Sequence, residues 1–251
     1  GIHVGQYGKD FEKQTDLASM MANLCSALPD VRFRLSSIEP FEISKKLLTL
    51  MRDASNFMPH LHIPLQSGDN EILAGMNRRY TREQFLSTIG TCREMLPDAA
   101  MGIDVLVGFP GENNERFANT KLLLEEIDCT YLHVFPYSRR PGTRAAEFPD
   151  QVSKEFKHAR VKELRALAEK KKTAFHKRFI GECRSALLEQ ERTADGLLKG
   201  FTDNYIPVIV DGPDAMKNQI VDVRLESLAG EAVKAQPVSS HDNERRNNIK
   251  R

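Results

Sequence analysis

The sequence predicts an α/β fold, a partial parallel barrel of strand–helix units, followed by a small all-β barrel. Three observations predict it. Up to about residue 150, short apolar runs rich in β-branched residues alternate with stretches whose apolar residues recur at helical spacing, the order expected of βαβ units in a parallel sheet. A densely basic helical segment follows. After Gly181 the helical period is lost, and strand-like runs separated by Gly, Asp and Asn turns take over.

After the opening GIHVGQYG, Leu17, Met20, Met21, Leu24 and Leu28 mark a first helix, broken at Pro29-Asp30. VRFRLSSI (31–38) alternates enough to be a strand. Ile43, Leu47, Leu48 and Met51 read as the next helix, and HLHIPL (60–65) as a buried strand. Phe85, Leu86, Ile89, Cys92 and Leu96 form another helical stripe. MGIDVLVGF (101–109) is nearly continuous, as a parallel strand covered on both faces should be. Phe117, Leu123, Leu124 and Ile127 mark a helix, and TYLHVFPY (130–137) a strand. About five strand–helix units are countable, short of the eight a closed barrel needs.

Residues 151–178 carry ten Lys or Arg against three Glu, a charge of +7, behind an apolar face of Val161, Leu164, Leu167, Ala168 and Phe175. Such a segment is either a solvated helix face or a surface for an anionic partner. CRSALLEQE, GLLKGFT, YIPVIVDG and NQIVDVRLES then supply the all-β unit, over residues 179–232. From residue 233 to 251 the chain is polar and aperiodic, and a disordered tail is expected.

The 251 residues are 40% hydrophobic and 28% charged, enough to fill a core. No run approaches the ~18–20 apolar residues of a membrane span. Lys plus Arg number 36 and Asp plus Glu 35, so overall charge excludes binding of nucleic acid through bulk attraction and leaves only local patches. The four cysteines, Cys25, Cys92, Cys129 and Cys183, are spaced 67, 37 and 54 residues apart and form no CxxC or CxxxCxxC cluster. They read as buried, reduced thiols of a cytoplasmic protein. The opening residues read like the middle of a domain, so a piece of a longer protein is expected.

Ligands of a parallel barrel meet residues at the C-terminal ends of strands. Four such places are polar: Glu39 after LSSI, Gln66 after HIPL, Asp104 with the Gly108 and Gly111 turn in DVLVGFPGE, and Tyr137-Ser138. A carboxylate accepts two hydroxyls of a ribose, an amide serves an ammonium or a carboxylate, and an Arg clamps a carboxylate. His60, His62, Asp104 and His133 offer a rival, a metal-dependent hydrolase site. The bland alternative is that these histidines are packed or hydrogen-bonded.

GIHVGQYGKD, LSSIEPFEI, PHLHIPLQSGDNEIL, MNRRYTREQF, DVLVGFPGE and HVFPYSRRPGTRAAEFPDQV, in this order and spacing, resemble the radical S-adenosylmethionine (SAM) methylthiotransferases over Gly1 to about Leu228. GLLKGFTDNYIPV resembles their TRAM domain, an RNA-binding barrel. The resemblance implies residues 1–178 as the C-terminal part of a radical SAM barrel with a basic linker helix, and 179–232 as TRAM. It implies an enzyme inserting a methylthio group at carbon 2 of adenine in tRNA, with SAM and two [4Fe–4S] clusters as cofactors. One cluster would cleave SAM reductively to a 5′-deoxyadenosyl radical that abstracts the hydrogen at that carbon, a reaction side chains alone cannot perform. GIHVGQYG and LSSIEP resemble the branch acting on threonylcarbamoyladenosine at position 37 of the anticodon loop; isopentenyladenosine is the alternative.

The same resemblance assigns cofactor-binding roles to Glu39 (ribose), Gln66, Arg78 (the SAM carboxylate, with Arg79 as competitor), Asp104 (ribose or methionyl part) and Gly108 (backbone approach to the adenine, or an ordinary turn). The cluster motif CxxxCxxC is absent from these 251 residues. The cluster ligands would therefore lie outside this chain, which alone would be inactive. A non-catalytic RNA-binding remnant is the alternative. Phe201 and Tyr205 are candidates for stacking on unpaired bases, or for the core.

Overall fold

The computed structural model describes residues 3–12 and 14–238. The chain divides into two units, Gly1–Lys171 and Lys172–Arg251, so the division falls inside the basic helix rather than at residue 178.

The first unit is organised by a parallel sheet of three strands, β1 (His60–Gln66), β2 (Ala100–Val107) and β3 (Tyr131–Pro136), in that order. Alternation along a strand gives it two faces. Leu61, Ile63, Leu65, Ile103, Val105, Val107, Leu132 and Val134 are buried in the main core. Helices α1 (Leu17–Ala27), α2 (Lys45–Asp53), α4 (Arg82–Met95) and α5 (Asn114–Glu126) contribute Leu17, Met21, Leu47, Leu48, Phe85, Ile89, Leu123 and Leu124 to that core. The alternate positions differ: His62, Asp104 and Leu106 are half-buried, and His133 and Phe135 are exposed. Thus MGIDVLVGF is fully covered on one face and only partly on the other, a correction to its reading as covered on both: on this more open face Asp104 and Leu106 are half-buried, while Gly102 is buried.

Each helix begins where its sequence supplies an acceptor for orphan backbone N–H groups. Asp16, Ser44 and Asn113 cap α1, α2 and α5. Asp69 caps α3 (Asn70–Gly75) through two N–H groups. Thr81 and Gln84 form a reciprocal capping box at α4. Helix α3 and α6 (Arg144–Glu147) are too short to show a period in sequence.

Two further corrections concern strand count. Residues 31–38 form no regular strand. They form isolated bridges, Phe33 to Phe57 and Ser37 to His62 of β1, with Ile38 N–H donating to the His62 carbonyl at 3.0 Å. The parallel sheet therefore has three strands among the described residues, not about five units.

Two turns hold the sheet's C-terminal end. After β1, Gly68 N–H and Ser67 Oγ both bond Thr120 Oγ1 of α5, at 3.0 and 3.2 Å. A Cβ on Gly68 would come within 2.6 Å of the Thr120 Cα, so only glycine permits this approach. After β2, Gly108 turns at φ 77 and donates to Glu112 Oε1 at 2.7 Å. Arg160 of α7 (Lys154–Arg178) bonds the same oxygen at 2.8 Å and the Glu112 carbonyl at 3.0 Å. Both side chains are almost fully buried, at 6% and 0% exposure.

The second unit contains a closed five-stranded barrel: β4 (Cys183–Arg192), β5 (Leu198–Thr202), β6 (Pro207–Val210), β7 (Ile220–Ala229) and β8 (Ala232–Pro237), in the order β4-β5-β6-β8-β7. Only β6 and β8 pair in parallel. Ala186, Leu188, Leu198, Val208, Val210, Val223, Leu225 and Val233 fill it. Strand β8 corrects the tail expectation: residues 233–237 close the barrel, with Gly230 at φ 61 turning the chain out of β7. The remainder of that expectation, residues 239–251, lies outside the described residues.

The Glu112–Arg160 pair makes a sharp prediction. Arg160→Met leaves a buried carboxylate without its partner and is expected to cost about 3–5 kcal/mol. Burial already raises the Glu112 pKa, against the pull of Gly108 and Arg160. The folded state then binds more protons than the unfolded one between the ordinary and raised values, so stability falls as pH rises through that window. The deficit of Arg160→Met in urea unfolding should grow from pH 4 to pH 7. A deficit independent of pH would contradict this.

Candidate functional site

Asp104 stands in the middle of β2, on the open face, paired in register with Pro64 of β1 and His133 of β3. Its Oδ1 lies 2.7 Å from His62 Nε2 and 3.2 Å from His133 Nδ1. A carboxylate only accepts, so each facing ring nitrogen carries the proton. His62 Nδ1 lies 2.8 Å from Ser37 Oγ, within hydrogen-bond reach. Oδ1 is doubly bonded, whereas Oδ2 receives no hydrogen bond from the described residues. Burial pushes the Asp104 pKa up, but the hydrogen bonds and charges of His62 and His133 outweigh it and hold the carboxyl below its ordinary value.

The rest of the open face supports this trio. His62 and His133 meet edge to face at 5.2 Å. Tyr131 lies 5.1 Å from the His133 ring, and its hydroxyl sits 2.8 Å from His60 Nε2. Burial holds His60 neutral by lowering its pKa to about 3. Gly102 makes the arrangement possible, because a Cβ there would overlap the Tyr131 ring.

Two residues past Ser37, Glu39 leaves the bridged segment and meets Arg78, Oε1 to Nη1 at 3.2 Å. Arg79 lines a separate groove of about 500 Å³ with Pro40, Phe41 and Tyr80, so it is Arg78 that faces Glu39. Tyr80 ties this loop to β1 by donating to the carbonyls of Pro64 and Leu65 at 2.9 and 3.0 Å. Gln66 ends β1 beyond a register shift at φ 67, a left-handed conformation that a non-glycine residue adopts at a cost.

The five sequence-predicted site residues therefore fall into separate groups: Glu39 with Arg78, Asp104 with two histidines, Gln66 at the strand end, and Gly108 apart. Gly108 packs against α7. The Lys157 stem fills the space a Cβ would take, and Lys157 Nζ donates to the Tyr137 carbonyl at 3.1 Å. The sequence reading gave His62 and His133 no part in the SAM site. The sequence marks His62 by its i, i+2 spacing from His60; His133 is joined to Asp104 by register alone.

His62, Asp104 and His133 also present three ligand atoms within 4.8 Å of one another, a donor set that suits a divalent ion. His60, the fourth member of the hydrolase reading, is turned to Tyr131 instead. Among the described residues no three cysteines gather into a metal-binding group; Cys25, Cys92 and Cys129 are buried and Cys183 is half-buried.

In α7, several of the ten basic residues are engaged within the protein. Arg160 holds Glu112, Lys157 holds the Tyr137 carbonyl, Lys171 bonds the Glu125 and Ile127 carbonyls, and Lys172 lies 3.6 Å from Glu231. Lys154, Lys162, Arg165, Lys170 and Lys177 are exposed. In the barrel, the half-buried Phe201 and Tyr205 stack on each other, centroids 4.8 Å apart and planes 14° from parallel.

Residues 2–124 match the model of the radical SAM superfamily. The chain is 37% identical over 229 residues to the threonylcarbamoyladenosine tRNA methylthiotransferase MtaB of Bacillus subtilis (strain 168), covering 90% of this chain and 51% of that protein. It is 39% identical over 212 residues to MtaB of Rickettsia prowazekii (strain Madrid E), covering 84% and 49%. It is 36% identical over 228 residues to the tRNA-2-methylthio-N(6)-dimethylallyladenosine synthase of Oceanobacillus iheyensis, covering 90% and 44%. The chain spans about half the length of the curated relatives it matches. In fold it is similar to Escherichia coli coproporphyrinogen III oxidase (HemN), a radical SAM enzyme, with a TM-score of 0.51 at 16% identity over 92% of this chain and 59% of that one.

Gly102→Ala tests the support of the open face. The added methyl must displace Tyr131 from His60, an overpacking cost of about 1–3 kcal/mol. A urea unfolding midpoint equal to wild type would show that the ring is not held there.

Proposed function

We propose that this chain, with its radical SAM match and its methylthiotransferase relatives, is the SAM-holding and tRNA-contacting part of a tRNA methylthiotransferase. The reaction is insertion of a methylthio group at carbon 2 of threonylcarbamoyladenosine at position 37, in the anticodon loop. The observation that carries the reading is a pair of polar groups in the first unit, the Glu39–Arg78 carboxylate–arginine pair and the Asp104 carboxylate held by His62 and His133. The first two relatives described above carry the threonylcarbamoyladenosine name, which favours that branch; dimethylallyladenosine at the same position is the second reading, favoured by the third relative's name.

A radical SAM domain implies SAM and [4Fe–4S] chemistry. The residues present fit the organic part of SAM. Glu39 would accept ribose hydroxyls, Arg78 would clamp the carboxylate, and Asp104 Oδ2 would take a ribose hydroxyl or the ammonium; Gln66 would add an amide contact at the strand end. SAM supplies the radical that activates the carbon. The residues do not fit a cluster, since the cysteines do not gather, and the cluster ligands are assigned to segments of the parent enzyme outside this sequence. The chain alone is accordingly inactive in this reading, and its setting is the cytoplasm. No described helix is long and apolar enough to cross a membrane.

The RNA-contacting part is the five-stranded barrel, read as a TRAM domain, together with the exposed cations of α7. The α7 residues already engaged within the protein reduce the charge that α7 can give to phosphates below +7.

The function is tested by nucleoside mass spectrometry of tRNA from a host lacking its own methylthiotransferase. The complete gene is expected to add one methylthio group to threonylcarbamoyladenosine, and this chain alone none. Modification of dimethylallyladenosine instead would select the second reading, and modification of neither would end both. For the RNA contact, Lys162→Ala with Arg165→Ala should flatten the salt dependence of tRNA binding by about one to two units of logarithmic slope. An unchanged slope would remove α7 from the interface.

A further inference from the structure

We propose that His62 and His133 are positioning residues, which fix the Asp104 carboxylate so that Oδ2 alone faces the ligand; this rests on the assignment of Asp104 to the SAM site. The two imidazoles come from different strands and converge on a single oxygen, at 2.7 and 3.2 Å. A carboxylate gripped at one oxygen from two directions cannot spin about its χ2 bond without losing both bonds. Held rotamers keep a binding constellation in its productive geometry.

Each imidazole is itself held. Ser37 fixes the His62 ring through Nδ1 at 2.8 Å, and the Ser37 segment is pinned to β1 by the Ile38 N–H to His62 carbonyl bond. His133 rests between His62 at 5.2 Å and Tyr131 at 5.1 Å. This is the arrangement of outer partners that orient a ligand-binding group. It also ties the two halves of the site together: the segment that supplies Ser37 continues directly into Glu39, so a shift of His62 is felt at both carboxylates. The same three residues also offer a divalent-ion donor set, and metal binding is the competing outcome of the test.

The test measures SAM binding to the full 251-residue chain by saturation-transfer NMR, which detects weak binding, with the amide spectrum as a check of folding. A Gln side chain can return an N–H near the place of His62 Nε2, whereas Leu only fills space. His62→Leu is expected to weaken SAM binding roughly tenfold, and His62→Gln to stay within about threefold of wild type. Should His62→Leu fail to fold, His133→Leu against His133→Asn makes the same comparison at a more exposed ring. Asp104→Asn separates the two levels of the argument. If it weakens binding while Leu and Gln at position 62 behave alike, the positioning role is overturned and the SAM site stands. If wild type shows no saturable binding, or Asp104→Asn changes nothing, the SAM site fails and the positioning role with it. Tight one-to-one binding of zinc, lost in His133→Leu, would also overturn the proposal in favour of a metal centre.

Discussion

A carboxylate in the middle of a parallel strand must be hydrated or hydrogen-bonded, because an ion left without partners beside a core is far costlier than any single packing defect. Asp104 meets that constraint through His62 and His133, and much of the first unit follows from it. On its side of the sheet, Asp104 and His62 are half-buried and His133 and Phe135 exposed. Glycine at 102 keeps the Tyr131 ring flat against the sheet beside His133. The bridged segment through Ser37 is held close enough to β1 to bond His62, and in doing so it delivers Glu39 to Arg78.

The opposite face provides the rigidity. Leu61, Ile63, Leu65, Ile103, Val105 and Val107 are fully buried against the helices. The turns after β1 and β2 are locked by Thr120, and by Glu112 with Arg160. Tyr80 fixes the loop that carries Arg78 to the carbonyls at the end of β1. A site on strand ends and turns is precise only when those turns cannot breathe, and here each is held by a buried polar contact rather than by apolar packing alone.

Most of this architecture was legible in the sequence. Helical stripes located α1, α2, α4, α5 and α7, and apolar runs located β1 to β3, because long periodic segments state their partner face directly. What misled was local. MGIDVLVGF looked covered on both faces, since Gly102 and Leu106 carry no polar mark; only Asp104 betrayed the open side. Residues 31–38 alternate like a strand yet form isolated bridges. Strand β8 was hidden in a polar stretch, its inward residues being only Val233 and Ala235. Of the polar strand ends expected from sequence, Gln66 does end β1, whereas Asp104 stands mid-strand and Glu39 follows a bridged segment; hydrogen bonds between distant strands, such as His133 to Asp104, have no sequence signal beyond register. The charge of α7 overstated its availability, because sequence cannot distinguish a lysine that caps carbonyls from one that faces water.

In the proposed function SAM is held by the Glu39–Arg78 pair and by Asp104. Chemical-shift mapping of isotope-labelled chain during SAM titration tests it most directly. The account predicts saturable shifts concentrated at Gln66, Arg78, Asp104 and His133, with the barrel residues Phe201 and Tyr205 unmoved. Shifts confined to the barrel, or scattered without saturation, would contradict it.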